Sequence, residues 1–277
     1  MSATLMAVLP RALAYHKIAS FELGGTWMPR RRFVAQIDSL RRAGYRFIDE
    51  TAFLESLAGR RRASPREILL TFDDGYRNLL DAVPALEERG VPVLVFLVSA
   101  YAGRRNRWEL GLPGRGAVHL SWEECTSLAR SGFSFGSHTR THRDLTRIPI
   151  EEARDEIRRS RAEIEDRLGS PVRSLSYPFG RLDGALRSEA EAAGYRAAFT
   201  LYPRRVPGAG GAFELRRDPV YVIDTAGCVR RKIGDGAWSA IEESKGRTIN
   251  AAAVLTPLTK GVLARANSVF RRARGDR

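Results

Sequence analysis

Between residue 12 and about residue 224, short apolar runs alternate with longer amphipathic stretches. The runs Ala12–Tyr15, Ile68–Phe72, Val93–Val98, Phe133–Gly136, Ser174–Tyr177 and Ala197–Thr200 predict strands. The stretches around 30–43, 77–89, 121–131, 150–168 and 183–194 predict helices. The clearest is 150–168, where Ile150, Ala153, Ile157, Ile164 and Leu168 fall at helical spacing with charged residues between them. Strand and helix in alternation imply a parallel sheet, either open and doubly wound or closed into a barrel. Neither a GxGxxG turn nor a P-loop favours a nucleotide-binding sheet.

Past residue 236 the pattern changes. Over 250–277, Leu255, Leu258, Val262, Ala266 and Val269 form an apolar stripe, and Lys260, Arg265, Arg271, Arg272, Arg274 and Arg277 set positive charge against a single acid, Asp276. The expected organisation is a barrel-type domain over 1–235 followed by a basic amphipathic helical extension over 236–277. Such a helix either lies on an anionic membrane or packs on the barrel with a solvated basic end. The segment Pro207–Ala212 is a glycine-rich connector or lid.

With 277 residues, 43% of them hydrophobic, the chain can bury a full core. A formal charge of +14 favours anionic partners but says nothing of fold. Nucleic acid is not expected, because charge alone would support it and no recognition motif or interleaved aromatics accompany it. Cys125 and Cys228 lie far apart and give no disulfide framework. No apolar run approaches the roughly 20 residues of a membrane span, and the first residues lack the basic start and small-residue cleavage site of a signal peptide. The expected location is cytoplasmic, with peripheral contact at the inner membrane left open.

The chemistry-bearing residues follow the predicted strands, where a parallel barrel carries its active site. Asp73 and Asp74 end the second run before Gly75. Adjacent carboxylates at the end of a buried strand are costly unless a cation needs them. His138 and His142 follow the fourth run, four residues apart, a spacing that one helical turn would bring to one side. His16 follows the first run and would point into the same mouth. One Asp with two His suits a divalent ion, zinc or its neighbours, and leaves positions open for water and substrate. Such an ion lowers the pKa of bound water from 15.7 toward about 7, and the second carboxylate can then take its proton. His16, with a near-neutral intrinsic pKa, suits the donor that a leaving amine needs. His119 precedes a helix N-cap at Ser121 and is expected to be structural. An Asp-Asp-Gly alone is usually a turn and an HxxxH alone often a solvated pair; it is their joint placement after strands of one sheet that points to a metal.

Thr71-Phe72-Asp73-Asp74-Gly75, Ser137-His138-Thr139-Arg140-Thr141-His142 and Tyr177-Pro178-Phe179-Gly180, in this order, resemble the motifs of the polysaccharide deacetylase family, the NodB-homology or carbohydrate esterase family 4 domain. The likeness covers roughly residues 10–225. It implies a distorted, incomplete (β/α) barrel, with Asp73 as catalytic base and Asp74, His138 and His142 as metal ligands. It also implies that the Tyr177-Pro178-Phe179 segment lines the substrate, with the backbone N–H of Phe179 at the oxyanion. The common family order places the acid histidine last, but no histidine follows His142. Instead Leu13-Ala14-Tyr15-His16-Lys17-Ile18 resembles the N-terminal motif of the poly-N-acetylglucosamine deacetylase subgroup, which makes His16 the acid. Ser176 stands where many members place an arginine that orients the base, and Arg216 or Arg217 is the candidate substitute.

The expected activity is metal-dependent removal of N-acetyl groups from an amino sugar of a polysaccharide or glycan precursor. The expected cofactor is zinc, with cobalt, nickel or iron as alternatives. The rivals are the same machinery on another amide or an O-acetyl ester, and a catalytically silent barrel that binds glycan or membrane through its arginines.

Overall fold

The computed structural model describes residues 9–19, 26–106, 108, 117–201, 211–234 and 241–248. Its strands are β1 (Arg11–Tyr15), β2 (Lys17–Ile18), β3 (Trp27–Met28), β4 (Arg46–Ile48), β5 (Glu67–Phe72), β6 (Leu94–Leu97), β7 (Ser134–Ser137), β8 (Ser174–Ser176), β9 (Ala197–Leu201) and β10 (Leu215–Pro219). The helices between them are α1 (Arg30–Arg42), α2 (Glu50–Leu57), α3 (Val83–Glu88), α4 (Trp122–Arg130), α5 (Ile150–Leu168), α6 (Gly184–Ala192) and α7 (Ala226–Ile233).

Parallel pairing runs β1-β10-β9-β8-β7-β6-β5 and closes where β1 also pairs with β5, giving a seven-stranded barrel. Strand β4 shares an edge of β5 with β6: it pairs with Glu67–Leu69, whereas β6 pairs with Thr71 and Phe72. That fork is the distortion of the barrel. All six strands expected from the apolar runs form, and the helix 150–168 has the bounds its periodicity gives.

Alternation along each strand separates two cores. On β5, Ile68, Leu70 and Phe72 join the outer layer with Phe33, Ile37 and Leu40 of α1, while Leu69 belongs to the inner cluster with Phe96, Phe199 and Leu215. Phe53 and Leu54 of α2 join this inner cluster. Space within is tight: a Cβ on Gly136 would stand 2.7 Å from the Phe96 ring and 2.8 Å from the Ser174 carbonyl oxygen. Two neighbouring inward positions, Thr71 and Asp73, continue the Leu69 face toward the end of β5, and so deliver a carboxylate into the mouth of the barrel.

Residues 241–248 are helical and dock on the barrel through ion pairs, Lys245 to Asp224 at 2.9 Å, Glu242 to Arg231 at 2.8 Å and Glu243 to Arg216 at 2.7 Å. The rest of the expected basic extension, and the loop at 207–210, lie outside the described residues. Among the described residues no helix is long and apolar enough to cross a membrane.

Candidate metal and catalytic site

Asp73 is buried, and Arg217, wholly inaccessible on β10, holds both of its oxygens: Nη1 donates to Oδ1 at 2.6 Å and Nη2 to Oδ2 at 2.8 Å. The same guanidinium donates to Thr71 Oγ1 at 3.0 Å and Ser176 Oγ at 2.7 Å, and lies over the rings of Phe96 and Phe199. Ser176, on β8, thus accepts from Arg217 across the intervening β9, and of the two candidate arginines Arg217 is the one that reaches Asp73. Arg216, one residue earlier, faces outward to Asp218 and Glu243, as strand alternation requires. Burial alone would raise the Asp73 carboxyl; the Arg217 guanidinium outweighs it and holds Asp73 below the usual carboxylate range.

One ligand atom from each of Asp74, His138 and His142 lies within 4.8 Å of the other two. Asp74 Oδ1 is 3.6 Å from His138 Nε2 and 3.4 Å from His142 Nε2. Two donors each about 2.1 Å from a shared zinc stand about 3.0–3.4 Å apart, so the three fit one divalent ion with little movement. Backbone carbonyls accept but do not donate, so the 2.7 Å contact between His138 Nδ1 and the Ser176 carbonyl fixes the proton on Nδ1 and leaves the Nε2 lone pair facing the cluster. Burial lowers His138 to about 4 and takes His142 well below its ordinary value. Both rings are therefore neutral, the form that ligates.

The two histidines do not sit on a helix, contrary to the reading of their spacing. They belong to a loop in which Thr139 has φ 64° and His142 φ 59°, and left-handed residues cannot continue a right-handed turn. Asp74 (φ 67°) and Phe179 (φ 60°) complete the set of non-glycine residues with positive φ among the described residues. All four lie in the loops of this site, where strained backbone, at about 1–3 kcal/mol each, is held by its surroundings. At Asp74 the holder is His119, whose Nδ1 donates to the Asp74 carbonyl at 2.7 Å and whose ring packs on Tyr76, Tyr101 and Trp108. His119, expected to be structural, thus supports the backbone of a candidate ligand. Trp108, which sequence reasoning missed, stacks on His142 at 4.6 Å, and Phe179 meets the same ring edge-on at 4.9 Å.

His16 leaves β1 beside Asp73: Tyr15 pairs with Phe72, and the Asp73 N–H donates to the Tyr15 carbonyl at 2.8 Å. Its ring is half-buried, and its charge state is coupled to Asp73, His138 and His142. Burial lowers it to about 4, opposed by Asp73 and aided by Arg217 and Lys17. The Tyr177 side chain turns away from the cluster, donating from its hydroxyl to the Phe213 carbonyl at 3.2 Å. Pro178 is buried, and the left-handed Phe179 leads to Gly180 (φ 64°), where a Cβ would come 2.5 Å from the Leu201 nitrogen. Only glycine fits that turn.

The sequence profile of polysaccharide deacetylases matches residues 60–198. The chain belongs to the polysaccharide deacetylase family. Membership makes it a hydrolase of the class that deacetylates polysaccharides. The matched span takes in Asp73, Asp74, His138, His142 and Tyr177–Phe179, and stops short of His16 and Arg217. The Bacillus subtilis protein YxkH is 27% identical over 206 residues, 74% of this chain and 69% of its own length. Among solved structures, the Streptococcus pyogenes deacetylase PplD, in complex with acetate, gives a TM-score of 0.71 at 18% identity over 83% of this chain and 100% of its own. IcaB from Ammonifex degensii gives 0.67 at 24% identity over 84% of this chain and 94% of its own. These two likenesses extend the shared fold well beyond the profile match.

Other parts of this deacetylase do not compete for the role. Asp224, Cys228 and Glu242 also converge, but Lys232 and Lys245 take Asp224 while Arg231 and Lys245 take Glu242, so the cluster is an ion-pair network. A hollow of about 590 Å³ between Arg46, Asp49, Arg61, Val91 and Phe133 opens where the strands begin, at the end opposite the histidines.

Proposed function

We propose that this deacetylase is a divalent-metal hydrolase that removes the N-acetyl group from an amino sugar within a polysaccharide. The observation that carries the reading is the division of the Asp73–Asp74 pair, one carboxylate forked to Arg217 and the other set among two neutral imidazoles. Asp74, His138 and His142 would hold the ion, with zinc suited to the donor set. Bound there, a divalent ion supplies an acidified water and a positive charge beside the attacked carbonyl.

Asp73 is ionised throughout the neutral range and accepts the proton that water loses as its oxygen bonds to the acetyl carbon. The Arg217 fork keeps the carboxylate from rotating away, at the expense of its basicity. The backbone N–H of Phe179 contributes to holding the carbonyl oxygen as it becomes negative. When the carbon–nitrogen bond breaks, the departing amine takes a proton from His16, leaving acetate and a free amino sugar. His16 is neutral at rest and takes up a proton from solvent as negative charge develops on the substrate beside it; this is the proton it passes to the amine, and Asp73 afterwards releases its own to solvent.

The test is acetate release from an N-acetylglucosamine oligomer, with an O-acetylated sugar as comparison. Metal-dependent release from the first supports the reading. Release from the ester alone overturns the amide assignment, and full activity after chelation overturns the metal.

A further inference from the structure

A second cavity, of about 680 Å³, lies against the loop between His138 and His142 and is lined by Ala100, Tyr101, Arg104, Arg105, Arg140 and Thr141. We infer that it binds an anionic substituent, a carboxylate or a phosphate, on the sugar next to the one deacetylated. The inference rests on the glycan substrate proposed above and names its charge.

The cavity is built on the catalytic loop itself. Arg140 and Thr141 lie between His138 and His142, and the turn that follows β6 is tied to them: the Ser99 N–H donates to the Thr139 carbonyl at 3.3 Å and the Ala100 N–H to the Arg140 carbonyl at 3.0 Å. An occupant would therefore lie beside the loop that presents both imidazoles. Its volume falls in the range of small-ligand pockets, about 300–1,000 Å³.

Of its three arginines, Arg105 is tied by its backbone to Val118 and its interactions are already engaged, and the other two differ in state. Arg140 donates from Nε to Glu163 at 2.8 Å, and Glu163 also accepts from Ser99 Oγ at 2.5 Å, so this guanidinium is fixed and its charge largely answered. Arg104 is exposed and has no ion-pair partner among the described residues. Its backbone is nonetheless fixed: the N–H donates to the Tyr101 carbonyl at 2.7 Å, and the carbonyl accepts from the His119 N–H at 2.9 Å. A planar guanidinium with two parallel donors matches carboxylate or phosphate. Half-buried Tyr101, its ring packed on Trp108 and His119, forms part of the cavity wall. A formal charge of +14 draws such a polymer toward the protein as a whole, and Arg104 marks where beside the site its charge is received.

The test uses the full-length, metal-loaded enzyme and three matched oligomers: neutral N-acetylglucosamine, the same with alternate uronate residues, and the same with phosphate in place of uronate. At low ionic strength the acidic oligomers should be preferred in kcat/KM by about three- to tenfold, the effect of one partly exposed charged contact, and salt should erase the preference. Arg104→Gln should bring the acidic oligomers down to the neutral one, and Arg104→Glu should reverse the order. Neither change should alter turnover of the neutral oligomer. The more strongly preferred acidic oligomer identifies the substituent. Equal rates on neutral and acidic oligomers, or an unchanged ratio in Arg104→Glu, overturns the inference. If no oligomer releases acetate, equilibrium binding decides. Charge-dependent binding abolished by Arg104→Glu upholds the subsite while the deacetylation reading falls, and binding indifferent to charge overturns the subsite.

Discussion

Arg217 and Asp73, 144 residues apart in sequence, share a two-bond fork inside the barrel, with neither side chain in contact with solvent. A buried pair of this kind is costly to break because the survivor is left charged and unpaired. Arg217→Met is expected to lose about 3–5 kcal/mol of stability in urea denaturation. Asp73→Asn combined with Arg217→Met should recover part of it, since no charge is then stranded. Wild-type stability in the single variant would mean that the fork contributes little.

Activity separates position from charge. Arg217→Lys keeps the cation but replaces the planar fork with a compact ammonium, so Asp73 is no longer held at both oxygens in a fixed plane. About a 10²-fold fall in kcat with bound metal unchanged is expected, the low end of what a displaced acid or base costs.

Asp73 and His16 should behave alike toward metal and differ from the ligands. Asp73→Asn and His16→Ala are each expected to retain the ion and to lose about 10²–10⁴ in turnover. His142→Ala should lose the ion itself. Measured metal content beside activity distinguishes the two classes, and loss of metal in His16→Ala would remove it from the role of acid.

His119 predicts an effect on affinity. Replacing it with Phe keeps the packing against Tyr76 and Trp108 but removes the donor to the Asp74 carbonyl. Metal affinity should weaken about 10–100-fold, as when the partner of a ligand is lost. Competition with a chelating dye reads this directly, and unchanged affinity would leave His119 a packing residue only.

The histidines also set the acid stability of the metal-free protein. His16, His119 and His138 are each lowered by burial from 6.5 to about 4, so between these values the unfolded chain binds more protons than the folded one. Stability is then complete above 6.5 and falls as pH drops toward 4. Thermal melts across that window should show the decline, and bound metal, which competes with protons for His138, should flatten it. A pH-independent melting temperature in the metal-free protein would contradict the burial of these rings.

Much of this was legible in the chain because each strand of a parallel barrel is buried on both faces and shows as an apolar run. Among the pieces that were not, three bear most on the site. Strand β4 is only Arg46–Ile48, too short for a period to show. Strand β10, Leu215-Arg216-Arg217-Asp218-Pro219, looks like a charged connector, and its inward arginine makes sense only with its distant partner in view. The loop of His138 and His142 has helical spacing but not helical backbone, since positive φ at Thr139 and His142 depends on tertiary support that no local pattern records. Asp74, His138 and His142 were grouped as candidate ligands from residue type and placement, and the structure brings them together; the arginine that holds Asp73 was narrowed to two neighbours, and the alternation of β10 selects between them.

The closure of the ring between β1 and β5 has a consequence for the order of events at the ribosome. Strand β1 emerges first, yet it pairs on one side with β5 and on the other with Asp218 and Pro219 of the last strand. His16 follows β1, and Arg217 lies on β10, the last strand among the described residues. A nascent chain therefore carries Asp73, Asp74, His138 and His142 long before Arg217 is there to fork Asp73, and the cluster is complete only once residue 217 has emerged and the two ends of the barrel have met.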